Sequence, residues 1–188
     1  MNKKIKEVRL RELRATDEGE KMSVEGYAIV FDEPTDLGYI EVIERGALDN
    51  CDMSDVCMKY NHEDSKLIMA RTRNKSLRLT VDDHGLKINA DLIDTQSNRD
   101  IYKSIQAGLL DKMSFAFIVS DANWDTVDGQ DIRRITGIGK LFDVSVVDVP
   151  AYDQTEIYAR SKEAVENEHE EYKKLKLEKE KLKLLLSL

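Results

Sequence analysis

The chain has 188 residues, a formal net charge of −8, 41% hydrophobic and 35% charged residues. That length suits one domain with its own core and perhaps an appendage, and the acidic balance argues against nucleic acid held by a basic surface. No run approaches the about 18 apolar residues of a membrane span, and the start, MNKKIKEVRLREL, lacks the apolar stretch of a secretion signal. Cys51 and Cys57 make neither a disulfide framework nor a zinc site, so a soluble, intracellular protein with two free thiols is expected.

From the N-terminus to about residue 160 the dominant period is two, the signature of strands. Val8 and Leu10 alternate with charged residues in EVRLREL, and SVEGYAIVF is apolar on both faces. YIEVI (39–43), VCMKY (56–60), SLRLTV (76–81) and LKINADL (86–92) follow, the last with Leu86, Ile88, Ala90 and Leu92 in clean alternation. DDHG (82–85) between the last two is a hairpin turn signal. One segment departs: DTQSNRDIYKSIQAGLL (94–110) carries Ile101, Ile105 and Leu109 at helical spacing, with Thr95 or Ser97 as N-cap and Gly108 at the end. Strand-like runs resume in MSFAFIV (113–119), IRRITG (132–137) and LFDVSVVDV (141–149). Many short strands around one helix predict a mostly β fold with helices (α+β), a closed or nearly closed, mostly antiparallel barrel.

Composition changes near Ser161. Residues 161–188 lack Gly and Pro, with an acidic first half and a second half of six Lys against two Glu, a polarity that complements a helix dipole. Val165, Tyr172, Leu175, Leu182 and Leu186 fall on a 3–4 spacing interrupted by Glu168 and Lys179, which predicts a helix docking on its own domain or on a partner helix. The expected division is a barrel domain at 1–160 and a charged helix at 161–188.

Three histidines occur. His84, in the turn, and His169, in the charged helix, are expected to be solvated. His62 follows VCMKYN and is read on one strand face with Val56, Met58 and Tyr60. Such a histidine is more often structural than catalytic. Ser114 has the same ambiguity, a hydroxyl at a strand start with apolar followers and no G-x-S-x-G elbow. Asp143 interrupts the apolar strand LFDVSVV, with Ser145 facing the same way. A carboxylate there needs a donor, because an unpaired buried charge is costly, and a histidine is a natural one. The three suggest a chain in which Asp143 orients His62 and His62 takes the proton of Ser114; Asp148 is the nearest alternative acid.

At this point the residues resemble a known family. EGYAIVFDEPTDLGYIEVIERGAL, MKYNHE, DDHGLKINADL, IYKSIQAGLLDKMSFAF and LFDVSVVDVPAYDQTEIYAR, in that order over roughly residues 5–160, are similar to the HK97-type phage prohead (capsid maturation) proteases. The resemblance implies a serine endopeptidase with a herpesvirus assemblin-like β-barrel ringed by helices. Its nucleophile falls on Ser114, its histidine on His62 and its third member, often Glu, on Asp143. Glu63 stands where Asp is common and Ala70 where glycine is common. Arginine helps stabilise the oxyanion in assemblin-like relatives, and Arg133 and Arg134 are available.

The function so implied is cleavage of scaffold, of the N-terminal segment of the major capsid protein, and of the protease itself, inside the procapsid in the host cytoplasm. The expected partners are the capsid precursor, scaffold and further copies of the chain in a homo-oligomer, without nucleic acid or membrane. Acyl transfer of this kind calls for no metal or other cofactor. One rival is a catalytically inactive structural or scaffold-associated barrel, which has no need to keep all three residues. Another is a cysteine enzyme using Cys57 with His62, disfavoured because five residues along one extended strand point side chains to opposite faces.

Overall fold

The computed structural model describes residues 6–18, 21–37, 39–64, 68–148 and 156–186. Its strands are β1 (Lys6–Glu18), β2 (Lys21–Val30), β3 (Thr35–Asp36), β4 (Ile40–Ile43), β5 (Cys57–Tyr60), β6 (Ala70–Arg71), β7 (Leu77–Val81), β8 (Gly85–Asp91), β9 (Lys112–Val127) and β10 (Gln130–Val147). Helix α1 (Gln96–Gln106) separates β8 from β9, and helix α2 (Glu156–Leu186) follows β10.

The hydrogen-bonded path runs β3-β4-β10-β9-β1-β2-β8-β7, with β5 attached to β10 and β6 to β5. The named pairings are antiparallel except that β10 runs parallel to β4 and to β5. β6 lies beside β7, joined by a 3-10 turn at Thr72–Asn74 and by the Arg71 N–H donating to Ser76 Oγ at 2.9 Å. The sheet therefore comes round to a nearly closed barrel, as the strand pattern predicts.

Alternation places the core. Val24, Ile29, Met58, Leu77, Leu86, Ile88, Ala90, Met113, Phe115, Phe117, Val144 and Val146 turn to the same buried cluster. Each large side chain fully buried there contributes about 1.5–3 kcal/mol of transfer free energy. Phe115 and Phe117, neighbours on one face of β9, stack with centroids 5.1 Å apart.

β9 and β10 are longer than their apolar runs. They form one hairpin of 16- and 18-residue strands that turns at Asp128 (φ 51°) and Gly129 (φ 82°). Two successive positive φ values define a type I′ turn, whose twist matches the strands and for which Asp-Gly is a preferred pair. The polar stretch DANWDTVDGQD hides this continuation from hydrophobic patterning, and IRRITG and LFDVSVV are parts of one strand.

Helix α1 starts as expected: Thr95 Oγ1 accepts from the Asn98 N–H at 3.3 Å, and Gly108 turns left-handed after the helix (φ 70°). Its buried residues are Asn98, Tyr102 and Ile105. Leu109, expected on that face, is exposed, because the helix has already ended.

Helix α2 begins before residue 161 and docks through its first half. Val165 is buried, Glu168 accepts from Trp124 Nε1 at 2.8 Å, and Tyr172 Oη shares a 2.8 Å hydrogen bond with Thr126 Oγ1. His169 is not solvated as expected. It stacks on Trp124 at 4.2 Å and 4°, and its Nε2 lies 2.8 Å from Asp131 Oδ2. Leu175, Leu182 and Leu186 are exposed, so the docked face is built from Glu168, His169 and Tyr172 rather than from the leucines of the 3–4 pattern.

Candidate active site

Three adjacent strands, β5, β10 and β9, carry the site. In the ladder Ser145 lies opposite Lys59 of β5 on one side and Ser114 of β9 on the other. The next row holds Cys57, Asp143 and Ala116. Because Met58, Val144 and Phe115 face the core, the pleat turns these two rows to the opposite face of the sheet.

A bulge decides where Asp143 points. Leu141 is a core residue, and by strict alternation Asp143 shares its face. The ladder shifts between Leu141, paired with Phe117, and Asp143, paired with Ala116. The extra residue, Phe142, reverses the alternation, so Val144 and Val146 face the core and Asp143 and Ser145 face away from it.

His62 arrives by a turn. The sequence reading put it on the Met58–Tyr60 face of an extended strand, and the structure corrects this. β5 ends at Tyr60, Asn61 and His62 are both left-handed (φ 50° and 56°), and the Glu63 N–H returns to the Tyr60 carbonyl at 3.1 Å. Asn tolerates this conformation well and His better than most residues. The Asn61 N–H donates to Val146 O at 2.9 Å, and its side-chain oxygen accepts from the Asp148 N–H at 3.2 Å. The turn swings the imidazole off the core face and over β10, to the face that carries Asp143.

There His62 Nδ1 lies 2.5 Å from Asp143 Oδ1. A carboxylate oxygen accepts only, so Nδ1 carries the hydrogen and the lone pair of neutral imidazole is at Nε2. Ser145 Oγ donates to the same Asp143 oxygen at 2.9 Å and lies 3.2 Å from His62 Nδ1. Lys59 Nζ stands 3.8 Å from Asp143 Oδ2 and 2.5 Å from Asp64 Oδ1. Ser114, Asp143 and Ser145 have no exposed surface, and the His62 side chain is 9% exposed. Among the described residues, the two buried side-chain polar atoms with no hydrogen-bond partner are His62 Nε2 and Ser114 Oγ. A base nitrogen with a free lone pair and an uncommitted hydroxyl, on one face of neighbouring strands, are the parts proton transfer from serine requires.

The structure thus brings His62 and Asp143 into contact and sets Ser114 in the adjacent strand, opposite Ser145. It does not bring Asp148 to the imidazole: that carboxylate accepts from Tyr60 Oη at 3.1 Å. Arg133 and Arg134 are likewise elsewhere. Arg133 is buried and pairs with Glu41 and Glu168 at 3.0 Å, and Arg134 pairs with Glu44 at 3.4 Å. Asp143 is roughly 30 Å further along β10 at about 3.3 Å per residue. Cys57 is partly buried on the site face, and burial pushes its thiol up from the ordinary value, a direction that disfavours the thiolate a nucleophile needs. The premise that Cys57 and His62 share one extended strand fails, since the strand ends at Tyr60. Lys59 escaped the sequence reading because a lysine near a strand end looks like any solvated cation.

The fold is similar to the solved structure of the bacteriophage T4 capsid assembly protease, with a TM-score of 0.50 and 11% identity over 76% of this chain and 98% of that one. Likeness at that identity defines the fold alone, a barrel with helices. The sequence defines the family: the model of the Caudovirus prohead serine protease family matches residues 7–174, and the chain belongs to that family. It is a serine protease of capsid maturation. Comparison with curated proteins finds no match. No helix among the described residues is long and apolar enough to cross a membrane.

Proposed function

We propose that Ser114 is the nucleophile of this protease, His62 its general base and acid, and Asp143 the group that orients His62. The observation that carries this reading is the 2.5 Å contact between His62 Nδ1 and Asp143 Oδ1, which leaves His62 Nε2 as the free base on the face that carries the uncommitted Ser114 hydroxyl. Ser114 Oγ attacks the scissile carbonyl as its proton passes to Nε2, and the imidazolium is stabilised by the Asp143 carboxylate. His62 then protonates the leaving amine, and water, deprotonated by the same nitrogen, releases the acyl group.

The substrates proposed are scaffold, the N-terminal segment of the major capsid protein, and the protease itself, cut inside the procapsid in the host cytoplasm by a homo-oligomer. Residues 1–160 form the protease barrel in this reading and 161–188 an appended helix. Co-expression with the cognate capsid precursor tests it. The wild type shortens the precursor and Ser114→Ala leaves it intact; equal processing by both removes Ser114 from the mechanism.

A further inference from the structure

We infer that Ser145, seconded by Lys59, is a positioning residue of the reaction: it holds the Asp143 carboxylate ionised and aimed at His62 Nδ1. The inference rests on the roles proposed above for Ser114, His62 and Asp143.

Asp143 lies in a strand flanked on both sides and has no exposed surface. A carboxylate so placed stays charged only if protein donors replace water. Around it stand His62, Ser145 on the same oxygen at 2.9 Å and Lys59 3.8 Å from the other oxygen. Burial works against the charge of Lys59, but Asp64 and Asp143 outweigh it and hold the ammonium above its ordinary value. The two oxygens of Asp143 are thus engaged by different groups, Oδ1 by His62 and Ser145, Oδ2 by Lys59. Rotation of the carboxylate away from His62 breaks both sets.

Ser145 has no use for its hydroxyl in packing. It is fully buried on the face that carries Asp143 and Ser114, its chain neighbours Val144 and Val146 being turned to the core, and a buried alcohol costs free energy unless it is hydrogen-bonded. Its hydrogen goes to Asp143 and its oxygen stands 3.2 Å from His62 Nδ1, so the three groups form a closed triangle. A dipole fixed in advance needs no reorganisation when His62 takes up a proton.

Phosphonylation of Ser114 by a fluorophosphonate, in which the serine oxygen bonds phosphorus, fluoride leaves and the proton passes to His62, reads this directly on the full chain. Ser145→Ala is expected to lower the maximal labelling rate about 10- to 100-fold, the rate equivalent of a lost hydrogen bond to a charged group, with reagent affinity unchanged. Lys59→Met shifts it in the same direction. Ser145→Thr, which restores the hydroxyl, recovers most of the rate. A second measurement needs no reagent: the downfield proton resonance of His62 Nδ1–H persists in Ser114→Ala but moves upfield and exchanges faster in Ser145→Ala. Wild-type rate and resonance in Ser145→Ala, or a threonine variant as slow as the alanine one, overturn the inference while the triad stands. Labelling of Ser114→Ala at the wild-type rate overturns the triad instead.

Discussion

Ser114 and Ser145 face each other across the β9–β10 ladder, both fully buried, yet their hydroxyls differ. Ser145 is tied to Asp143, whereas Ser114 has no partner. Leaving a buried hydroxyl unpaired costs about 1–3 kcal/mol, a penalty that is tolerated where function needs the group free.

Asp143→Asn is expected to lower turnover on the order of 10³- to 10⁴-fold, the size of the tautomer penalty in other triads, with a much smaller change in stability. An amide turned with its NH₂ toward His62 favours the wrong tautomer but keeps the shape of the side chain. Precursor cleavage rates and urea unfolding of the same variant separate the two effects, and full activity in the Asn variant moves the third role away from Asp143.

Asn61 supports the site through its backbone. Asn61→Gly keeps the left-handed turn and is expected to retain most activity. Asn61→Val forces a β-branched residue to φ 50°, at a cost of about 1–3 kcal/mol, and displaces His62. Activity of the two variants at matched folded fractions checks this; a fully active Val variant shows that the turn does not place the imidazole.

Arg133 is an anchor for α2. Arg133→Ala leaves Glu41, which is buried beneath it, without that partner, and is expected to destabilise the fold by about 3–5 kcal/mol. It also takes from Glu168 its ion pair, leaving the Trp124 Nε1 hydrogen bond, and is expected to weaken the docking of the first half of the helix. The chain has a single tryptophan, Trp124, which stacks on His169 of that helix, so its emission reports undocking during a urea titration.

The same tryptophan reports a pH dependence. Burial pushes the Asp131 carboxyl up, but hydrogen bonds from His169 and Thr126 and the charge of Lys176 outweigh it, so the group lies below its ordinary value. A lowered folded-state value means that the stabilisation is fully present above the ordinary carboxylate range and is lost as pH falls through the lowered one. Helix docking is therefore expected to weaken in acid, below about pH 4. Trp124 emission follows the loss, and Asp131→Asn removes that component from the titration; an unchanged profile in the Asn variant places the sensor elsewhere.

The sequence by itself determined the barrel class and a helix within 94–110, because alternation of apolar residues and caps such as Thr95 act over a few residues. It also offered His62, Ser114 and Asp143 as candidates, since polar groups stand out in apolar runs. Only the tertiary structure decided their relations. The bulge at Phe142, which turns Asp143 off the core face, and the paired left-handed residues 61–62, which carry His62 across to it, leave no periodic trace. Tertiary structure likewise gave Lys59 its place beside Asp143, and made a stacked, hydrogen-bonded anchor of His169. Strand periodicity records which face a residue takes locally; which side chains then meet depends on ladder register between segments about 80 residues apart, such as His62 and Asp143.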